Sequence, residues 1–434
     1  MSGRLFRKNI VSISKFKKIE LLGKENLILF FVFFSLCISA YIFVNEWFTI
    51  VGYDYQFFYK PVADRIFNGE SYIEAISCSK FNPSDFIGCN SDGVVTQWPP
   101  GFSYFLVIIL AISSFLSVDY IDTLYIVIFA IHSLTALMLF HFYRGYLSKK
   151  MNLLGVLIWF LYPPNIFLIK QPNTETIFIA LFLIACLTIK RMKLTLISAC
   201  IVGLLLGLAT YVRASGIVII FSLFFSIFFL SRLGFLERMR FVFVSTFLSL
   251  LLLFPWIDYG SKMNSEFFLA TSSIDMNKNS MSFMKKDNST QLIPYSDETI
   301  LFEEEYHFSQ SAIDSKYSIL SRVKFYLEKA SEEPYKLIKN ISEKAIKVFY
   351  MTSSQKYQFQ ILIMNVILLP AIMFFIYIFL KENKSDEIRT PVHIIIITSI
   401  MSFLLATFLL PFFRYVSPYI GLLLPLVLYK RFET

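Results

Sequence analysis

Long apolar runs separated by short polar interruptions make up most of this chain. Runs long enough to form a helix across ~30 Å of hydrocarbon lie at 27–48, 99–117, 120–143, 153–169, 174–189, 194–211, 214–231, 241–257, 361–380, 391–410 and 412–430. The pairs within 194–231 and 391–430 are nearly continuous and read as tight hairpins of two helices. The pattern predicts an all-α polytopic membrane protein of about 10–12 transmembrane helices, with two outside loops at 49–98 and 258–360.

The polar interruptions set the orientation. Basic clusters fall at Lys149–Lys150, Lys190–Arg191–Lys193, Arg232 to Arg240, Lys381 to Arg389 and Lys430–Arg431. Cytoplasmic loops carry such an excess of Lys and Arg, so all five are expected inside, together with a basic tail at Met1–Lys24. The chain then divides into the tail (1–24), a membrane module (25–257) holding the first outside loop, the large outside loop (258–360) and the C-terminal helices (361–434). One step conflicts. Two crossings within 99–143 return the chain outside, whereas Lys149–Lys150 asks to be inside. Either one of those segments does not fully span, or that cluster breaks the rule.

The large outside loop carries 14 acidic and 13 basic residues, with no bias against translocation. Its first part (271–300) is rich in Ser, Thr, Asn and Asp and reads as irregular. After Pro334, Leu337, Ile338, Ile341, Ala345, Val348 and Phe349 recur at helical spacing, between Lys336, Lys339, Glu343, Lys344 and Lys347. That pattern predicts an amphipathic helix at the membrane surface.

Composition agrees with the pattern. Of 434 residues, 56% are apolar and 16% charged, against about 25% charged in soluble domains. The net charge of +9 is spread over loop clusters, which fits topology and not a nucleic-acid surface. Cys37, Cys186 and Cys200 lie in apolar runs, as small hydrophobes. Cys78 and Cys89 share the first outside loop, where pairing in an oxidising compartment is an open alternative to two free thiols. His132, His141, His307 and His393 are scattered without metal-ligand spacing. Only the Glu303–Glu304–Glu305 run beside His307 would offer a divalent ion a place, and no metal or other cofactor is expected.

The first outside loop is the most specific stretch. Asp54 follows the first span by a few residues amid Tyr53, Tyr55, Phe57, Phe58 and Tyr59. Val62, Ala63, Ile66 and Phe67 suggest a short helix stopped at Asn68–Gly69, and Pro99–Pro100–Gly101 opens the next span. Asp64 is expected to face solvent or cap that short helix. Arg213 and Arg414 stand inside apolar runs, where charge is costly and marks function unless it reaches out to the headgroups. Glu175 heads its helix just past Pro172, either as a first-turn acid favouring the helix dipole or as part of a site.

This arrangement resembles the type C glycosyltransferases, in particular the dolichyl-phosphate-mannose protein mannosyltransferases and the lipid A aminoarabinose transferase. The resemblance covers roughly 50–260 and 405–430. It is carried by the acidic position after the first span, the paired prolines, and the stretches NTETIFIALFLIACLTIKR, GLLLGLATYVRASGIVII, FPWIDY and PFFRYVSPYIGLLLPLVLY. Many members carry two acids where this chain has Tyr53–Asp54–Tyr55, and the aminoarabinose branch has Lys where this chain has Trp98.

The resemblance implies sugar transfer from a polyprenyl-phosphate donor to a lipid, glycan or protein acceptor on the non-cytoplasmic face of a bacterial inner membrane. Asp54 would act as general base or orient the acceptor. Tyr53, Tyr55, Tyr59, Asp64, Glu175, Arg213, Arg414 and Tyr415 would bind substrate, with the two arginines on the phosphate. The alternatives are an O-antigen polymerase or ligase and a lipid-linked sugar flippase. A transporter would more often show inverted repeats and interrupted helices at midplane, and the sequence shows neither clearly.

Overall fold

In the computed structural model, residues 23–45, 55–80, 98–170, 172–231, 234–264, 330–332, 334–349, 358–383, 386–408 and 416–429 are described. Among them the chain is helical, without strands. The helices are α1 (Lys24–Asn45), α2 (Lys60–Phe67), α3 (Tyr72–Ala75), α4 (Gly101–Leu116), α5 (Tyr120–Tyr143), α6 (Lys149–Leu161), α7 (Pro163–Lys170), α8 (Thr174–Met192), α9 (Leu196–Val212), α10 (Gly216–Phe225), α11 (Phe235–Asn264), α12 (Pro334–Lys347), α13 (Gln358–Glu382), α14 (Asp386–Phe408) and α15 (Ser417–Leu423). A π-helical turn at Tyr55–Tyr59 leads into α2, another at Ser226–Leu230 extends α10, and a 3-10 turn at Leu424–Leu428 extends α15.

Among the described residues, every apolar run named above coincides with a helix or a helix pair. By length and composition five helices could cross a membrane alone: α1, α5, α11, α13 and α14. Several of the others are shorter apolar helices, held within the bundle. The run at 153–169 departs from expectation. It is two helices, α6 and α7, bent by 60°, because Pro163 and Pro164 cannot continue the backbone ladder of α6. The Asn165 amide donates to Trp159 O at 2.6 Å and so satisfies a carbonyl at the break.

Side-chain contacts fix the helix directions. Near the start of α1, Glu25 pairs with Lys149, just past the end of α5, while Tyr41 near the end of α1 packs against Tyr125 near the start of α5 at 4.6 Å. The two helices are therefore antiparallel. The chain returns through α6 and α7, since Tyr125 Oη donates to Lys170 O at 2.9 Å. Helix α8 runs back again, and Lys190 near its end donates to the carbonyls of Phe142 and Arg144. Lys149, Arg144, Lys190 and Arg191 thus gather at one end of the bundle, with Phe379 of α13 against Tyr146 there.

These directions resolve the conflict in the first third of the chain. Gly101, opening α4, lies so close to α9 that a Cβ would fall 2.6 Å from Tyr211 O. Tyr120, just beyond the other end of α4, meets the first loop through Tyr55 Oη at 3.2 Å and Lys60 Nζ, 4.6 Å from its ring centre. Both ends of α4 come to the end of the bundle opposite Lys149. The run at 99–117, expected to cross, therefore starts and finishes at the same end of the bundle. At 16 residues it is about 24 Å long, short of the ~30 Å required.

Close packing elsewhere needs small residues. Helix α9 lies against α11 where a Cβ on Gly203 would fall 2.5 Å from Ser245 O, and Ser249 Oγ donates to Gly203 O at 2.8 Å. Such small-residue contacts let helix backbones approach within lipid. The helix expected from Pro334 is present as α12. It packs through its end, with Val348 buried and Phe349 stacked on Phe403 at 5.0 Å, while Tyr335, Ile338 and Ile346 stay exposed.

Candidate active site at one end of the bundle

At the end opposite Lys149, the start of α8 meets the turn between α9 and α10. Arg213 sits in extended conformation as α9 stops, and the chain reverses at once. Gly216 is needed there, since a Cβ would fall 2.6 Å from Thr210 Oγ1. The turn directs Arg213 inward. One terminal nitrogen donates to Glu175 Oε1 at 2.5 Å and to Thr174 Oγ1 at 3.1 Å, and Nε donates to Ser215 Oγ at 2.9 Å. Thr174 in turn donates to Glu175 Oε2 at 3.2 Å. The side chains are 14% and 6% exposed, so Arg213 does not reach out to solvent.

Helix α15 closes this network. The Tyr419 ring packs edge-on to Phe178 and Phe182 of α8 at about 6 Å. Burying two charges costs several kcal/mol each, and only good geometry with further hydrogen bonds offsets it. Thr174 and Ser215 supply those bonds. The result is a guanidinium held in one orientation where four helices meet. The Glu175 carboxylate, expected as a substrate ligand or a first-turn acid, binds Arg213.

The second cluster at this end belongs to the first loop. Tyr55, Phe58 and Tyr59 are buried. Phe58 lies 4.5 Å from Trp98 and Tyr59 lies 4.9 Å from Phe102, ring to ring. Burial pushes the Tyr55 phenol above its ordinary pKa of 10, so Tyr55 is a neutral donor at physiological pH. Lys60 is wedged between the Tyr120 ring and Asp64, whose oxygens it meets at 2.5 and 2.6 Å. Asp64 is therefore a partly exposed partner of Lys60. It does not cap α2, whose N-cap is Tyr59 without a side-chain bond.

The short helix ends as expected, with Gly69 in the left-handed region at φ +99°, which a glycine adopts at least cost. Beyond it Ser71 and Glu74 form a capping box for α3. Arg65 ties the two short helices together by donating to the carbonyls of Ala75 and Lys80. Between them a cleft of about 470 Å³ is lined by Asn68, Gly69, Glu70, Glu74, Ser77 and Lys80. Glu70 and Lys80 pair across it at 3.2 Å.

The sequence reading missed Lys170. It is buried at the end of α7, with Nζ 6.0 Å from the Tyr41 ring. The available signal was a lysine closing an apolar run immediately before Gln171–Pro172. Tyr53, Asp54, Arg414, Tyr415, Cys89 and His307 lie outside the described residues, as does the question of a Cys78–Cys89 pair. The described chain next to them, Tyr55 and Val416, borders the two clusters. Among the described residues no group of three His, Cys, Asp or Glu side chains could hold a metal ion.

No protein-family model matches the chain, and no curated protein is similar to it in sequence. Solved structures are similar in fold. The archaeal oligosaccharyltransferase AglB from Archaeoglobus fulgidus, in complex with an inhibitory peptide and a dolichol-phosphate, is 14% identical, with 94% of this chain covered and 50% of that one, at a TM-score of 0.50. The apo form of the Archaeoglobus fulgidus oligosaccharyltransferase is 13% identical, with 94% and 51% covered, at a TM-score of 0.52. The chain spans about half the length of these structures. It is an integral membrane protein with five helices long and apolar enough to cross a membrane, and its helices take up the fold seen in these oligosaccharyltransferases.

Proposed function

We propose that this protein is a membrane glycosyltransferase that moves a sugar from a polyprenyl-phosphate donor to a lipid, glycan or protein acceptor on the non-cytoplasmic face. The observation that carries the reading is Arg213, a recessed guanidinium fixed by Glu175, Thr174 and Ser215 at the bundle end that also holds Tyr55, Lys60 and Lys170. Arginine offers permanent charge and forked donors to a phosphate oxygen. The fold similarity to oligosaccharyltransferases, one of them holding a dolichol-phosphate, supports a lipid-linked donor.

The reaction class follows from the donor. An acceptor hydroxyl or amine attacks the anomeric carbon as the bond from that carbon to the phosphate oxygen breaks, with inversion. Asp54 takes the acceptor's proton or orients the acceptor. The departing lipid phosphate keeps the bonding electron pair, and its charge is stabilised by Arg213 and Arg414, with Lys170 as a further cation at the Arg213 end of the bundle. Preorganised charge of this kind is usually the largest contribution to such a step. Tyr53, Tyr55 and Tyr59 shape the sugar pocket.

Glycan mass spectrometry in cells lacking the chain tests the reading. A cell-envelope glycan, lipid or protein should lose one sugar, and the sugar-loaded polyprenyl phosphate should accumulate. An unchanged glycan profile with no accumulated donor would reject it. The 60° break between α6 and α7 favours a second reading, a lipid-linked sugar carrier, since interrupted helices are common in transporters. A carrier would move the intact lipid-linked sugar and release no phosphate.

A further inference from the structure

We propose that Arg144 and Arg191 form a binding site for the phosphodiester headgroup of an anionic phospholipid, in the leaflet at the Lys149 end of the bundle. The site lies at the far end from Arg213 and does not depend on the sugar-transfer reading. The first observation is an imbalance of charge. Lys190 is explained by the carbonyls of Phe142 and Arg144, which accept from its Nζ where α5 stops, and by the Tyr146 ring centre 3.8 Å away. Lys149 is explained by Glu25 at 2.5 Å. Glu382, at the end of α13 beside them, accepts from the Tyr429 hydroxyl at 3.0 Å. Arg144 and Arg191 are exposed, and among the described residues neither pairs with a carboxylate.

The fold, and not the sequence, brings these two arginines together. Arg144 is the C-cap of α5 and Arg191 lies in the last turn of α8. The Lys190 bonds clamp those two helix ends against each other. Gly145, in the left-handed region at φ +92°, reverses the chain at once, and Tyr146 N donates to Tyr143 O at 2.9 Å. Arg144 is thereby held at the tip of a tight turn, where its charge acts on Arg191. Beneath them His141 is buried, and its Nε2 has no hydrogen-bond partner among the described residues. The charges of Arg191, Arg144 and Lys190 all act on it, opposed by that of Glu25. Like charges repel more strongly as they leave water, and an anion shared between the two guanidinium groups removes that penalty.

The chemistry of the anion follows from the donors and their place. Guanidinium forks match the paired oxygens of a phosphate, and basic pockets at the ends of membrane helices bind anionic headgroups. Positive-inside topology accounts for Lys and Arg in these loops, but not for two arginines brought to one another without a carboxylate. Apolar surface borders the cluster, with Met151 and Leu154 exposed at the start of α6, and Leu196 and Ile197 at the start of α9. Acyl chains attached to the phosphate would lie on that surface, which a free phosphate would leave uncovered.

Native mass spectrometry and thermal unfolding of the full chain in neutral detergent test the site. Phosphatidylglycerol is titrated in parallel with phosphatidylcholine and with inorganic phosphate. The expected result is retention of phosphatidylglycerol with a rise in melting temperature that phosphatidylcholine does not give. Equal retention of the two lipids would overturn the proposal, and the same rise with inorganic phosphate alone would overturn the lipid as the source. The double variant Arg144→Gln/Arg191→Gln should bind phosphatidylglycerol about tenfold more weakly or worse. Arg240→Gln, which takes a charge from the exposed start of α11, should stay within about twofold of wild type. An equal loss in both would show diffuse attraction and overturn the site. Should the double variant not fold, wild-type protein with a phosphatidylglycerol carrying a photoreactive headgroup decides. Label should concentrate in residues 140–150 and 188–195, and an even spread that includes residues 232–240 would contradict the proposal.

Discussion

Arg213 and Glu175 meet at 2.5 Å where α8 begins and α9 ends, 38 residues apart in sequence and both nearly removed from solvent. Neither charge would be kept at such depth alone. The pair, with Thr174 and Ser215, locks four helix ends into one arrangement and presents a fixed cation there.

That relationship predicts a non-additive response. Arg213→Met leaves the Glu175 carboxylate buried without its partner and should destabilise the protein by about 3–5 kcal/mol. Glu175→Met should cost a similar amount, and the double variant should recover most of the loss. Thermal unfolding of the four proteins in detergent gives the coupling. Additive losses would show that the pair is not a unit.

Packing between α9 and α11 gives a second expectation. On Gly203 a Cβ would fall 2.5 Å from Ser245 O, a backbone atom with little freedom to move. Gly203→Ala should therefore lower stability by about 1–3 kcal/mol, without a change in donor binding. Gly234→Ala, where the nearest atom is a glutamate side-chain oxygen at 4.0 Å, is the matched control and should be close to wild type.

The loop residues give a third. Asp64 is held by Lys60 as a partly exposed pair, worth up to about 1 kcal/mol. Asp64→Asn should thus leave turnover close to wild type. Asp54→Asn, as the proposed general base, should lose about 10²–10⁴-fold while donor-lipid binding persists. Steady-state kinetics of the two variants side by side checks the assignment. An essential Asp64 with a dispensable Asp54 would move the base one helix along the loop.

Much of this architecture was legible in the sequence, because a helix in lipid must carry an apolar run and its loops must carry charge. The boundaries of α5, the stop at Gly69 and the start of α4 after Pro100 follow from hydropathy, glycine and proline alone. Direction within the bundle did not follow. Hydropathy cannot tell a helix that starts and finishes at one end of the bundle from one that runs its length, and contacts such as Tyr55 with Tyr120 make the distinction. The basic cluster at Lys149–Lys150 carried that information, as an apparent conflict. In the site, the arginine in an apolar run pointed to Arg213. Its partner was not legible, since nothing in the spacing ties Glu175 to a turn 38 residues away. Lys170 was hidden as the last residue of an apolar helix.

Orientation supplies a fourth expectation. The end with Lys149 and Lys190 should be cytoplasmic by its positive charge, which puts Arg213 and the aromatic cluster outside. In cells, a cysteine probe at Asn288 should react with an impermeant reagent from outside, and one at Lys384 should not. The reverse pattern would place the site on the cytoplasmic face and exclude the proposed donor geometry.

The most direct measurement of the central claim is the stoichiometry of a single turnover. Purified protein in proteoliposomes, loaded with a polyprenyl-phosphate sugar labelled in both sugar and phosphate, is supplied with an acceptor fraction from the native cell envelope. The account predicts one free polyprenyl phosphate for each sugar joined to acceptor, with inverted anomeric configuration, and loss of both products in Asp54→Asn. Sugar-loaded lipid that crosses the bilayer intact, with no phosphate released and no sugar transferred, would contradict it.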